Sequence, residues 1–141
     1  MGLDMYLTAE KYFYRDDKKP RIGGIPKGFA AKSVKVGAAY WRKANHIHAW
    51  FVRNVQNGVD DCMSYDVAHS QLEELRDICM GVLADRSKCA ELLPVQGGFF
   101  FGSTEYDVWY FSDLQDTVDQ IKAVLHGFDP MVWSLSYRSS W

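Results

Sequence analysis

Residues 40–62 read YWRKANHIHAWFVRNVQNGVDDC and contain the helical pattern on which the interpretation of the chain depends most. At 100° per residue, five apolar side chains fall on one side of this helix: Tyr40, Ala44, Ile47, Phe51 and Val55. Asn57 and Gly58 then provide a typical helix end. The pattern predicts an amphipathic helix that buries one side against a core and leaves the other side polar.

The segments on either side of this helix predict a mixed fold. Residues 3–14 and 32–39 have strand patterns, as do residues 131–137 near the end of the chain. Residues 15–29 hold two Pro and three Gly among many charges, which predicts a long mobile loop. Two more helices are predicted at residues 70–83 and 112–126, each beginning with capping-box spacing. Residues 94–111 are predicted to form a short strand and a structured loop.

This order of elements does not alternate regularly enough for a doubly wound parallel sheet. We therefore predict an α+β fold with a small, mainly antiparallel sheet and about three helices. The chain has 141 residues, of which 48% are hydrophobic and 15% aromatic, enough for one compact domain over residues 1–141.

Composition also limits the class of protein. No apolar run approaches the ~18 residues of a membrane span, and the first residues lack the pattern of a secretory signal, so we expect a soluble intracellular protein without membrane partners. Three cysteines without CxxC spacing predict neither a disulfide framework nor a zinc knuckle.

Charge is divided unevenly along the chain. Residues 1–53 carry 11 Lys and Arg against 4 acids, whereas residues 54–141 carry 5 against 14. The net charges are therefore +7 and −9. Such a division predicts an anion-binding face on the basic half, or halves that attract each other within the fold or across a homo-oligomer.

The two histidines of the predicted helix do not form a metal pair. His46 and His48 are two residues apart, so their side chains differ by about 200° around a helix and cannot converge on one ion. His48 lies within the apolar arc and is predicted to be buried and hydrogen-bonded. His46 lies on the polar side and is predicted to be free to meet a ligand. No bound metal and no cofactor are expected.

Catalytic motifs are absent from the sequence. Gly-x-Ser-x-Gly is missing, and GGFFFGS has neither the Walker lysine nor GxGxxG spacing, so no catalytic residues are assigned. Glu105 and Asp107 could supply acid–base carboxylates, and a small hydrolase that uses them with His46 is the alternative function. The other interpretation is that these acids cap a short helical turn through Trp109.

Aromatic residues of the central helix and of residues 97–110 occur in the same chain as Arg42, Lys43 and Arg53 and the lysine-rich loop at residues 18–27. This combination is typical of sites that stack a nucleobase and neutralise a phosphate. Trp50 is predicted to project from the flank of the apolar arc, where a tryptophan more often marks a contact than a core position. Ten residues are predicted to bind a ligand: Trp50, His46, Lys43, Arg53, Glu105, Tyr106, Asp107, Trp109, Asp60 and Asp61.

Three motifs resemble a family of small, mostly uncharacterised proteins of phages and prophages. They are MGLDMYL at the start, YWRKANHIHAWFVRNVQNG with the DDC that follows it, and GGFFFGSTEYDVWY at residues 97–110. The resemblance implies an accessory phage protein that acts in the cytoplasm of the bacterial host, on a host process or a host defence. We therefore expect a non-enzymatic binding protein whose partner is a nucleotide-like anion. The other candidate partner is a host protein, which the chain would inhibit through Trp50 and the aromatic segment.

Overall fold

The computed structural model describes residues 2–141, which form one four-stranded antiparallel sheet with four helices. The strands lie in the order β2-β1-β4-β3. Their bounds are β1 Asp4–Tyr12, β2 Ser33–Arg42, β3 Tyr65–Val67 and β4 Ser134–Ser140. The helices are α1 Asn45–Asn54, α2 His69–Ala84, the single turn α3 Cys89–Leu92 and α4 Val108–Gly127. The predicted α+β class with an antiparallel sheet is confirmed.

Strand β1 lies in the middle of the sheet and determines which face is buried. Met5, Leu7 and Ala9 are fully buried, whereas the alternate residues Tyr6 and Thr8 are not. This period of two is that of a strand with one face on the core and the other open. The helices therefore pack on the Met5 face of the sheet.

The predicted central helix begins later than its pattern suggested. Tyr40 and Trp41 belong to β2, where they pair with Tyr6 and Met5 of β1. Lys43 then takes a left-handed backbone conformation with φ of 56°, which separates the strand from α1. A helical period and a strand ending in aromatics look alike over so few residues, so the pattern alone placed this boundary wrongly.

The longest helix begins earlier than predicted, at Val108 rather than at residue 112. Asp107 caps it, because its Oδ1 accepts hydrogen bonds from the backbone N–H groups of Trp109 and Tyr110 at 3.1 Å each. Helix α2 also starts early, and there Gln71 accepts a hydrogen bond from the backbone N–H of Ala68. The expected capping boxes at residues 70 and 112 are thus wrong.

Helix α1 is buried on all sides over residues 45–51, not on one side only. Trp50 is 2% exposed, so the expectation that it projects from the surface is wrong. The reason is that side chains from both the sheet and α4 pack against α1. Phe51 stacks on Tyr137 of β4 with ring centroids 3.9 Å apart, and His46 meets Tyr110 of α4.

The connection between β1 and β2 contains no helix or strand over residues 13–32, and most of its side chains are exposed. Its predicted mobility stays a prediction. Of the helices in the described residues, none combines the length and the apolar character needed to cross a membrane.

Candidate functional site

One side of α1 carries a closed hydrogen-bond network around His48. His48 is 1% exposed; its Nδ1 lies 2.7 Å from the hydroxyl of Tyr137, and its Nε2 lies 2.9 Å from Oδ2 of Asp60. The other oxygen of Asp60 accepts a hydrogen bond from the indole N–H of Trp141. Both ring nitrogens of His48 are thus paired, and the prediction that it is buried and hydrogen-bonded is confirmed.

The opposite side of α1 opens into a cleft of about 380 Å³. We call it the His46 cleft. It lies between the β2–α1 junction, the loop before α4 and the first two turns of α4. Its lining consists of Arg42, Lys43, Asn45, His46, Gly102, Ser103, Glu105, Asp107, Trp109, Tyr110 and Asp113. A volume of this size is within the range of small-molecule sites.

Asn45, the first residue of α1, holds the loop that forms one wall. Its Nδ2 donates to the carbonyl oxygens of Phe101 and Ser103, and its Oδ1 accepts from the backbone N–H of Gln96 at 2.8 Å. Because Asn45 is itself 1% exposed, these bonds fix the loop to the buried helix and give the cleft a defined wall.

Gly102 makes the close approach between this loop and the β2–α1 junction. Its φ is +97°, a conformation that glycine adopts without strain. A Cβ atom at this position would lie 2.7 Å from the carbonyl oxygen of Lys43. Any larger residue would therefore separate the two walls of the cleft.

The floor of the cleft pairs a buried histidine with a half-buried carboxylate. His46 is 3% exposed, and its Nε2, which has no hydrogen-bond partner, lies 3.9 Å from Oδ2 of Asp113. Burial lowers the pKa of His46 to about 4. Burial raises the pKa of Asp113 to about 6, and the charges of Asp116 and Asp107 add to this shift. At neutral pH the floor therefore holds a neutral imidazole beside an ionised carboxylate.

The rim of the cleft offers an aromatic face and two cations. Trp109 is 73% exposed, because it lies in the first turn of α4 on the side away from the core. Arg42 and Lys43 are both exposed; Arg42 also lies 3.8 Å from Asp4 on the open face of the sheet. The cleft thus combines a stacking surface, positive charge near its mouth and negative charge in its floor.

Five of the ten predicted ligand residues line this cleft: Lys43, His46, Glu105, Asp107 and Trp109. The expectation that His46 lies on an open polar side is wrong, because Tyr110 and α4 cover it. Asp107 acts both as the cap of α4 and as part of the lining, which agrees with the capping interpretation.

The other five predicted residues lie elsewhere. Trp50 is in the core, and Arg53 is exposed outside the cleft. The hydroxyl of Tyr106 accepts a hydrogen bond from the backbone N–H of Val95. Asp60 belongs to the His48 network, and Asp61 accepts hydrogen bonds from Met63 and Tyr65 in the following turn. These two acids serve local structure in this conformation.

Six residues of the cleft lining were not among the predicted ligand residues: Arg42, Asn45, Gly102, Ser103, Tyr110 and Asp113. A helix that starts at residue 112 would place Asp113 in its first turn, where the helix dipole alone explains an acid. With the helix starting at Val108, Asp113 lies three and four residues after Tyr110 and Trp109, on the same face. This spacing from Trp109 and Tyr110 is the sequence pattern from which Asp113 could have been predicted.

Residues 2–141 contain no group of three His, Cys, Asp or Glu side chains arranged to hold a metal ion. Comparisons of the chain with protein-family models, curated proteins and solved structures found no significant match.

Proposed function

We propose that this chain is a non-enzymatic binding protein that holds a small nucleotide-like anion in the His46 cleft. The observation that carries the proposal is the presence of the exposed Trp109 ring in the same cleft as Arg42 and Lys43. An aromatic face stacks a base at about 1–3 kcal/mol, and two cations balance the charge of a phosphate. The ligand would place its base against Trp109 and its phosphate toward the β2–α1 junction.

Binding is favoured over catalysis by the accessibility of the candidate base. The Nε2 atom of His46 is buried and faces Asp113, so it does not reach a ligand without rearrangement. The Oδ1 atom of Asp107 is already committed to the cap of α4. The alternative, a hydrolase that uses His46 with Glu105 or Asp107, is favoured only by their sharing one cleft.

The resemblance to phage proteins gives this binding a biological setting. A phage protein that binds a nucleotide tightly would lower the free concentration of that nucleotide in the cytoplasm of the bacterial host. We therefore extend the proposal to sequestration of a signalling nucleotide made by a host defence, as one form of host takeover.

A thermal-shift screen against nucleoside mono- and diphosphates tests the proposal. A ligand that binds only the folded chain must raise the melting temperature, and the rise must grow with ligand concentration. Lys43→Ala should remove the rise, whereas Lys122→Ala, an exposed lysine of α4 outside the cleft, should keep it. No rise with any nucleotide would contradict the proposal, and turnover of a bound nucleotide would establish the hydrolase instead.

A second candidate function is inhibition of a host protein, and one observation favours it. Phe99 is 81% exposed, and Phe100 beside it is also exposed with a left-handed φ of 61°. Exposed aromatics on a fixed loop are typical of protein contacts. Replacement of both by Ser should abolish capture of a host protein from lysate if this function holds, and should leave nucleotide binding intact.

A further inference from the structure

The unpartnered Nε2 atom of His46 and the carboxylate of Asp113 beside it indicate which nucleotides the cleft would accept. Buried polar atoms in folded proteins nearly always have a hydrogen-bond partner. Here Oδ2 of Asp113 lies 3.9 Å from Nε2, beyond hydrogen-bond distance. A small movement of the Asp113 side chain toward His46 would close this gap. After that movement the N–H group at Nε2 of His46 can donate to Asp113 and orient its carboxylate.

The charge of the floor determines which ligand groups it can accept. An ionised carboxylate only accepts hydrogen bonds, and Glu105 and Asp107 line the same cleft. A ligand group that only donates, such as an exocyclic amine, matches this floor. A carbonyl oxygen at the same place would set lone pairs against a carboxylate, and the carboxylate would lose its partner.

We infer that the cleft selects nucleotides whose base carries an exocyclic amino group, with Asp113 accepting its N–H and His46 positioning Asp113 from behind. The inference rests on the proposed nucleotide function and names the substrate class within it. Adenine, cytosine and guanine carry such a group, and adenine and cytosine are the two that we compare with their oxo counterparts. The bases that differ from them by an oxygen in place of the amine are hypoxanthine and uracil.

The selection should depend on pH, because it requires Asp113 to be ionised. Asp107 and Asp116 are the charged groups that act on this carboxylate. The other charged or titratable groups of the same cleft are His46 from α1, Arg42 and Lys43 from the β2–α1 junction, Glu105 from the loop and Tyr110 from α4. Burial raises the pKa of Asp113 to about 6, so the acceptor is present above that pH and is lost below it. Below pH 6 the protonated acid can donate to a carbonyl oxygen, and the preference should weaken or reverse.

Isothermal titration calorimetry with 5′-AMP, 5′-IMP, 5′-CMP and 5′-UMP tests this inference. At pH 8 we expect AMP to bind more tightly than IMP, and CMP more tightly than UMP, each by about tenfold or more, as expected for one hydrogen bond to a charged group. The phosphate is common to each pair, so its own titration cancels in the ratio. Asp113→Asn, which can both donate and accept, should bring both ratios to within about twofold of one.

Two substitutions of His46 separate a positioning role from a purely structural one. His46→Gln retains an N–H donor and should keep the preference for amino bases. His46→Phe keeps the ring that packs near Tyr110 but cannot hydrogen-bond to Asp113, so it should lower the preference and move its pH midpoint. Urea unfolding checks that both variants are folded. Full preference with an unchanged midpoint in a folded His46→Phe would overturn the role of His46.

The outcomes distinguish this inference from the proposed function. Equal affinity of the parent chain for the amino and oxo nucleotides, with binding abolished by Lys43→Ala, would overturn the selection and leave the proposed function standing. Failure of all four nucleotides to bind would overturn both.

Discussion

The two histidines of α1 are both buried, and they differ in what surrounds them. His48 has a partner for each ring nitrogen, in Tyr137 and Asp60, whereas the Nε2 of His46 has none and faces Asp113 across 3.9 Å. Burial alone therefore does not separate a fully hydrogen-bonded histidine from one with an unpaired ring nitrogen beside a cleft. The satisfied side of α1 holds the fold together, and the unsatisfied side faces the cleft.

Trp50→Ala should cause the largest loss of unfolding free energy, and it tests whether α1 is buried as described. A tryptophan that is 2% exposed leaves a large cavity, and the cost of such a change is about 3–5 kcal/mol. Urea unfolding measures it. Trp109→Ala is the matched control, because a 73% exposed residue should cost no more than about 0.5 kcal/mol. Similar costs for the two tryptophans would contradict the burial of α1.

His48→Ala should come next, with a loss of about 2–3 kcal/mol of unfolding free energy. The substitution leaves a cavity and removes the partner of both Tyr137 and Asp60, whose polar atoms stay buried or half-buried. His46→Ala should cost less, because its Nε2 leaves no bonded partner behind. Equal losses in urea melts would mean that the His48 network adds nothing beyond packing.

Gly102→Ala should destabilise by about 1–2 kcal/mol and also distort the cleft. The cost comes from a left-handed backbone and from the 2.7 Å approach of the new Cβ atom to the carbonyl oxygen of Lys43. Gly97→Ala is the control in the same loop, since a Cβ atom there meets nothing within 4 Å. If both variants melt alike and bind nucleotides alike, the loop does not define the cleft wall.

The fold could be predicted from sequence to the extent that its patterns were local. The alternation of β1, the helix over α2 and the apolar stripe of α4 each depend on neighbours within a few residues, and all three elements are present. Strand β3 has three residues, Tyr65–Val67, too few to show a period, and it was missed. The short turn α3 was missed for the same reason.

The cleft could be predicted only in part, because it depends on contacts between distant segments. The aromatic and cationic inventory found Lys43 and Trp109, whose chemistry is visible in the sequence. A helical wheel assumes that a helix has one buried side, so it placed Trp50 outside and His46 in the open. Prediction of Asp113 as a cleft residue depends on the true start of α4. Prediction of Asn45 depends on knowing that residues 96–103 return to the start of α1.

The pH dependence of stability gives the smallest expected effect. The pKa of Asp113 rises from 3.8 to about 6 on folding, so its contribution to stability falls as pH rises between these values. The pKa of His46 falls from 6.5 to about 4, so its contribution rises with pH over nearly the same range. In the parent chain the two slopes oppose each other between about pH 4 and pH 6.

Substitution of either His46 or Asp113 should reveal how the other residue changes the unfolding free energy with pH. Asp113→Asn should make stability rise more steeply with pH than in the parent between pH 4 and pH 6, and His46→Phe should make it rise less steeply or fall. Urea unfolding at pH 4.5, 5.5 and 6.5 gives the differences, in which other titrating groups cancel. Parallel curves for all three proteins would show that the pair does not titrate as described.

The most direct test of the account is a map of where a nucleotide binds. It is measured by NMR as changes in the chemical shifts of backbone amide and indole N–H groups on addition of 5′-AMP. We predict saturable changes at Gly102, Ser103 and the indole N–H of Trp109, with little change at Asp60 and Trp141 of the His48 network. Changes centred on Asp60 and Trp141, or no saturable change at all, would contradict the claim that the His46 side of α1 is the binding side.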